Sequence, residues 1–154
     1  MPRTRRRIRR FSVRASPIHG RGVFALTRIP RGTRLIEYKG ERISHAQASA
    51  RYDGAHEQSS HTMLFTVDER VVIDGGVRGN SARWINHSCA PNCEAVDDRG
   101  RIFIETIRVV KPGEELTYDY NLQLDERHTR AAKRKYACAC GARRCRGTLL
   151  GSKR

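Results

Sequence analysis

Asn86-His87-Ser88-Cys89-Ala90-Pro91-Asn92-Cys93 gathers two metal-capable thiols, an imidazole and two amides around one proline. Upstream of it runs Gly79-Asn80-Ser81-Ala82-Arg83-Trp84-Ile85. Downstream come Gly113-Glu114-Glu115-Leu116-Thr117-Tyr118-Asp119-Tyr120 and, near the end, Cys138-Ala139-Cys140-Gly141-Ala142-Arg143-Arg144-Cys145-Arg146-Gly147. The last stretch holds three thiols within eight residues. That spacing lets one loop wrap a tetrahedral zinc ion but leaves the fourth ligand to come from elsewhere. Cys89 and Cys93 are the two candidates, and spacing alone does not separate them. Five cysteines, an odd number, in a chain without a secretory signal argue against a disulfide framework and for metal binding.

Charge divides the chain into three. Residues 1–36 carry eleven arginines and no acid, residues 37–126 hold all sixteen acids against ten cations, and residues 127–154 carry ten cations and no acid. The sections therefore sum to +11, −6 and +10. Basic ends are either solvated arms or phosphate-binding arms for DNA or RNA, and an acidic centre attracts a cationic substrate. With 154 residues, 38% apolar and 31% charged, one compact domain with flexible ends is expected. No apolar run reaches the length of a membrane span, and residues 1–10 lack the apolar stretch of a signal peptide, so an intracellular protein with no membrane partner is expected.

Along the chain, short strands alternate with Gly/Pro turns: 11–15, 23–26, 33–41, 63–68, 70–74, 102–107 and 115–120. Gly20-Arg21-Gly22 reads as part of a turn, and Asp68-Glu69 as a tight turn between two strands. Ser44 offers an N-cap for a helix over 45–52, the segment 53–61 reads as polar loop, and 125–136 suits a basic helix or linker. The pattern predicts a mainly β fold with little helix.

Taken in order, these motifs resemble a SET-domain protein lysine methyltransferase with a post-SET zinc motif. The resemblance covers about residues 11–150. It implies a SET (β-clip) fold of short curled sheets, with a C-terminal pseudoknot that brings Asn86 and Tyr120 together although 34 positions separate them. It divides the chain into a basic arm (1–10), a SET domain (11–122), a basic helix or linker (123–137) and a post-SET zinc-binding tail (138–154). It implies S-adenosyl-L-methionine as methyl donor, contacted by Gly20, Arg21, Gly22, Asn86 and His87; Arg21 stands where the family often has tryptophan. It selects Cys89 to join Cys138, Cys140 and Cys145 on one structural Zn2+. It makes Tyr120 the essential catalytic residue, Tyr118 the residue that influences how many methyl groups are added, and Tyr38 part of the lysine channel. Arg83 corresponds to a structural arginine paired with a carboxylate beneath the site.

The function implied is transfer of methyl groups to the side-chain amine of lysine in a basic protein, a histone or another DNA-associated protein, with DNA or RNA as a further partner of the basic arms. The alternative is a non-catalytic, zinc-stabilised nucleic-acid or chromatin-binding module. The compartment follows the source: cytoplasmic if microbial, nuclear or chromosomal if eukaryotic. Methyl transfer from a sulfonium to an amine is an in-line displacement and needs alignment, a neutral lysine and exclusion of water, so tyrosines lining a narrow channel suit it. A tyrosine at 118 takes room beside the amine, and mono- or dimethylation is the expected outcome.

Overall fold

The computed structural model describes residues 9–52, 63–123 and 127–151. Three small sheets form the body. The first has the order β1-β2-β10-β7, from Phe11–Ala15, Arg21–Ala25, Glu115–Tyr118 and Asn86–His87. The second is β3-β9-β8, from Arg34–Glu37, Arg101–Thr106 and Cys93–Asp98. The third is β4-β6-β5, from Glu41–Ile43, Val72–Asp74 and Leu64–Thr66. Two short helices, α1 (His45–Tyr52) and α2 (Arg130–Lys135), and a 3₁₀ turn at Ser81–Trp84 complete the described elements. The fold is mainly β with little helix, as the strand-and-turn pattern predicts.

Most neighbours pair antiparallel, but β10 runs parallel to β7, with Thr117 opposite Asn86 and Tyr118 opposite His87. This parallel pairing places the Asn-His pair beside the tyrosine strand. The core behind it packs Val23, Ile29, Ile73, Ile85, Ile104, Val110 and Leu116, all essentially without solvent contact. Burying side chains of this size stabilises by about 1.5–3 kcal/mol each before the entropy cost of ordering them.

α1 begins where Ser44 predicts. The Gln47 N–H donates to Ser44 Oγ (3.1 Å), and Ser44 N–H donates to Gln47 Oε1 (2.9 Å), a reciprocal capping box. Several boundaries differ from the sequence reading. The expected strand over 33–41 is two strands in different sheets, split at Tyr38-Lys39-Gly40. Gly40 lies so close to the next sheet that a Cβ there would sit 2.2 Å from the Asp74 carbonyl oxygen, so side-chain-free backbone is needed at the crossing.

The turn between β5 and β6 is wider than a tight Asp68-Glu69 reversal, because Asp68 Oδ1 accepts from both Arg70 N and Val71 N at 2.8 Å. β8 went unread in the sequence, although Cys93–Asp98 meets β9 through a turn at Arg99-Gly100, both at positive φ. Of Gly20-Arg21-Gly22, only Gly20 (φ 45°) belongs to the turn, and the other two open β2. The loop expected over 53–61 lies outside the described residues, as do residues 1–8 of the basic arm. Among the described residues, no helix is long and apolar enough to cross a membrane.

Candidate active site and cysteine cluster

Where β7 meets β10, side-chain amides tie the chain to itself. Asn92 Nδ2 donates to the Glu115 carbonyl (2.8 Å), and Asn92 Oδ1 accepts from Thr117 N (2.9 Å). A buried side chain thus continues the ladder beside a two-residue strand. Asn86, 1% exposed, aims Nδ2 at the carbonyls of His19 (3.2 Å) and Arg21 (2.9 Å) and at Glu115 Oε2 (2.8 Å). Glu115 also accepts from Ser16 Oγ at 2.7 and 2.9 Å. It presses on Gly22, where a Cβ would fall 2.4 Å from Glu115 Oε2. Gly22 therefore makes room for Glu115, and Asn86 locks the turn before β2 onto β7.

β10 stops at Tyr118, and the next residues leave the ladder to build an aromatic wall. Tyr120 donates its hydroxyl to the Ile85 carbonyl (2.5 Å), which aims the ring. Its ring centroid lies 4.9 Å from that of Tyr118; Phe65 is 6.4 Å beyond Tyr118, and Tyr38 is 5.4 Å from Phe65. Tyr38 donates to the Met63 carbonyl (2.6 Å) and sits behind Phe65. Burial pushes the phenols of Tyr38, Tyr118 and Tyr120 above their ordinary value, so all three stay neutral at physiological pH. Among the described residues, nothing accepts from or donates to the Tyr118 hydroxyl, unlike those of Tyr38 and Tyr120.

Two concavities meet at Tyr120. A groove of about 1220 Å³ is lined by Phe65, Thr66, Tyr118 and Tyr120, with Asp68, Glu69, Glu94 and Asp119 and, among the described residues, neither Lys nor Arg. A small pocket of about 70 Å³ is lined by Ile18, His19, Asn86, His87, Tyr120, Ala137, Cys138, Ala139 and Leu149. Among the described residues, Tyr120 alone belongs to both linings.

The cysteines collect at the edge of the small pocket. The sulfur atoms of Cys89, Cys138, Cys140 and Cys145 all lie within 4.8 Å of one another, with Cys89 3.9 Å from both Cys138 and Cys145. Ligands about 2.3 Å from a tetrahedral zinc are roughly 3.8 Å apart, so this donor set fits such an ion in both chemistry and spacing. Cys93 is elsewhere: it is 1% exposed in the apolar core, and burial pushes its thiol up to about 12, which keeps it protonated. Main-chain N–H groups turn toward the cluster, including Arg146 N to Cys89 Sγ (3.3 Å). Arg146 also holds Asp119 through two bonds of 2.7 and 3.0 Å, fastening the tail to the end of the tyrosine strand.

The small pocket mixes apolar and polar walls. Ile18, Ala137, Ala139 and Leu149 offer apolar walls, while Asn86, His87 and the main chain at His19 offer polar groups. Asn86, His87 and Tyr120 are brought together there. Gly20, Arg21 and Gly22 lie next to the pocket without lining it, and the Arg21 guanidinium sits 5.6 Å from the centre of the Trp84 ring. Arg83 approaches the same ring at 5.0 Å. The carboxylate wired into the site is Glu115, bound to Asn86 and Ser16.

Sequence reasoning passed over Asn92, Glu115, Phe65 and Ser16. Asn92 carried a signal, since a second amide after proline within the organising stretch has polar capacity to place. Phe65 and Ser16 carried none, because their importance comes only from tertiary contact.

Residues 20–121 match the model of the SET domain. The chain is 38% identical over 138 residues to the histone-lysine N-methyltransferase trithorax of Drosophila melanogaster, covering 87% of this chain and 4% of that protein. It is 40% identical over 141 residues to the histone-lysine N-methyltransferase 2B of Homo sapiens, covering 87% and 5%. A similar match, 40% over 139 residues, is to the Saccharomyces cerevisiae histone-lysine N-methyltransferase named as H3 lysine-4 specific, covering 87% and 12%. The chain thus spans a small part, 3% to 14%, of the length of such relatives.

Proposed function

The chain belongs to the SET-domain family, and on that premise we propose that it transfers methyl groups from S-adenosyl-L-methionine to a lysine side-chain amine in a histone. The observation that carries this reading is that Tyr120 lines both the small pocket and the acidic groove. A methyl group presented from the first would meet an amine entering from the second. The relatives named as specific for lysine 4 of histone H3 make the H3 tail the first substrate to test.

The cofactor, when bound, supplies an electrophilic methyl group on a sulfonium. This chain's residues do the rest. Asn86, the main chain at His87 and the turn at Ile18-His19, which leads into Gly20-Arg21-Gly22, would hold it, with Ile18 and Leu149 as walls. In the groove, Asp68, Glu69, Glu94 and Asp119 draw a basic segment inward. Phe65, Tyr118 and Tyr120 then strip water from the lysine head, and that desolvation favours the neutral amine the displacement requires. An amine held on that line would displace the thioether from the methyl carbon and then give up a proton to solvent, so the residues' part is to desolvate the amine and align it. Tyr120, anchored on Ile85, fixes the line of approach. Alignment of this kind contributes roughly 7–11 kcal/mol in well-oriented systems, so no covalent nucleophile is needed. Tyr38 supports the wall from behind Phe65.

Zn2+ on Cys89, Cys138, Cys140 and Cys145 is structural in this account. Bound there, it would fix the four cysteines and with them Cys138 and Leu149 in the pocket wall, since segment 138–151 is too short to fold without a staple. The cations Arg127, Arg130, Lys133, Arg134, Arg143 and Arg144 are exposed. We assign them, with the N-terminal arginines, to phosphate contacts on DNA beside the histone, which sets the work in the nucleus.

Mass spectrometry of an H3-tail peptide incubated with the zinc-loaded chain and cofactor tests the reading. Added methyl groups on one lysine are expected. An unmodified peptide and unmodified intact H3, with cofactor bound to the protein, would count against it.

A further inference from the structure

His87 was assigned to the cofactor, yet its imidazole is already engaged on both sides. The ring is buried, with the side chain 1% exposed. Nδ1 lies 2.9 Å from the main-chain nitrogen of Tyr120. That nitrogen carries a hydrogen and can only donate, so Nδ1 must offer its lone pair and the proton of a neutral ring must sit on Nε2. Nε2 in turn faces Cys89 Sγ at 3.4 Å. Asp119 Oδ1 stands 3.5 Å from Nδ1, but an unprotonated Nδ1 gives it nothing to accept. Asp119 is satisfied instead by Arg146 and by Asn121 N.

The place of this link in the fold gives it meaning. β10 ends at Tyr118, whose carbonyl still accepts from Ser88 N, and the chain bends at Asn121 with φ 45°. Between those points the Tyr120 N–H has no strand to pair with, and His87 takes the part of the missing neighbour. The His87 ring also meets the Tyr120 ring edge-on, 5.4 Å between centroids.

We infer that His87 is a positioning residue whose imidazole, as the Nε2–H tautomer, links the Cys89 thiolate to the main chain of Tyr120 and so couples the cysteine cluster to the transfer site. The inference rests on the methyltransferase reading for its significance but not for its detection. Without a bound metal the Cys89 sulfur would no longer be held in place, and the imidazole, with the Tyr120 N–H it accepts from, would lose that anchor. Hydrogen bonds of this kind, one step removed from the ligand, tune both metal affinity and ligand orientation.

Nitrogen-15 NMR of the imidazoles in the zinc-loaded chain tests it directly. At neutral pH His87 should show protonated Nε2 and bare Nδ1. A protonated Nδ1 overturns the proposal without any variant having to fold.

Two substitutions then separate the arms. His87→Asn returns an amide acceptor near the Nδ1 position, and His87→Gln returns an amide donor near the Nε2 position. With His87→Gln, exchange of the Tyr120 amide should speed by about tenfold or more, the loss of one buried hydrogen bond. kcat should fall with it, while KM for the cofactor stays level. With His87→Asn, Tyr120 exchange should stay near that of the unaltered chain, while zinc passes to a chelator about tenfold faster. Equal Tyr120 exchange in the two variants would overturn the coupling. Absence of methyl transfer would instead defeat the enzymatic reading and leave the tautomer and exchange results standing.

Discussion

Tyr118 and Tyr120 share the aromatic wall, but Tyr120 spends its hydroxyl on Ile85 whereas that of Tyr118 is uncommitted among the described residues. The two substitutions should therefore differ. Tyr120→Phe removes an aimed group at the junction of both concavities, and kcat should drop by about 10²–10³, the scale seen when one oriented donor is lost from an active site. Its thermal midpoint should move by only a few degrees, since one hydrogen bond is worth about 1 kcal/mol. Tyr118→Phe removes a hydroxyl able to hold the amine or a water where a further methyl group would sit. Transfer should persist with a higher share of trimethyl-lysine, read by mass spectrometry of the product; an unchanged product distribution would deny Tyr118 that role. The sequence made these tyrosines visible because they stand in one motif. It did not reveal which hydroxyl was anchored, because the acceptor, Ile85, is 35 residues away.

The short elements depend on polar crosslinks that a strand pattern does not record. β7 is two residues long and stays in register because Asn92 bonds both sides of Glu115-Leu116-Thr117. Asn92→Ala strands two main-chain groups, and about 2–4 kcal/mol should be lost in urea unfolding. Asp74 links α1 to β6 in a similar way, accepting from Tyr52 (2.5 Å), Arg51 (2.9 Å) and Gly76 N (2.9 Å) with its side chain 0% exposed. Burial alone would raise its carboxyl, but Tyr52, Arg51 and Gly76 outweigh that and hold it below the ordinary value. The sign follows: its stabilising contribution is present above the unfolded carboxyl value of about 4 and is lost as pH falls through the lower folded value. Asp74→Asn should be less stable at neutral pH and show a flatter loss of stability toward acid than the unaltered chain; parallel acid limbs would refute this. Alternation and glycine turns made β1, β9 and α1 legible, since local chemistry governs them. The break at Gly40 and the end of β10 answer to neighbouring sheets, so nothing local announced them.

For the molecule as a whole, the cysteine cluster closes the pocket that the strands leave open. Leu149 and Leu150 are buried, Leu150 bridges Leu122, and Ala137 bridges Thr148, all in a tail that the four cysteines hold. Removing the metal should expose segment 127–151 to trypsin at least about tenfold faster while the β signal in circular dichroism remains, because the main core lies in the sheets. Cofactor affinity should fall with it, since Ala137, Cys138 and Leu149 form part of the pocket. Metal-binding spacing was plain from sequence, and the family resemblance selected Cys89 over Cys93; the physical reason lies in the fold, where the one faces the cluster and the other the core. The central claim is that Tyr120 stands where donor and acceptor meet. Transfer of tritiated methyl to histone H3, with cofactor binding measured on the same samples of unaltered chain and Tyr120→Phe, tests it most directly. The account predicts lysine-linked label from the unaltered chain and a loss of about 10²-fold or more in the variant at nearly unchanged cofactor affinity. Equal labelling by both, or firm cofactor binding with no label from either, would contradict it.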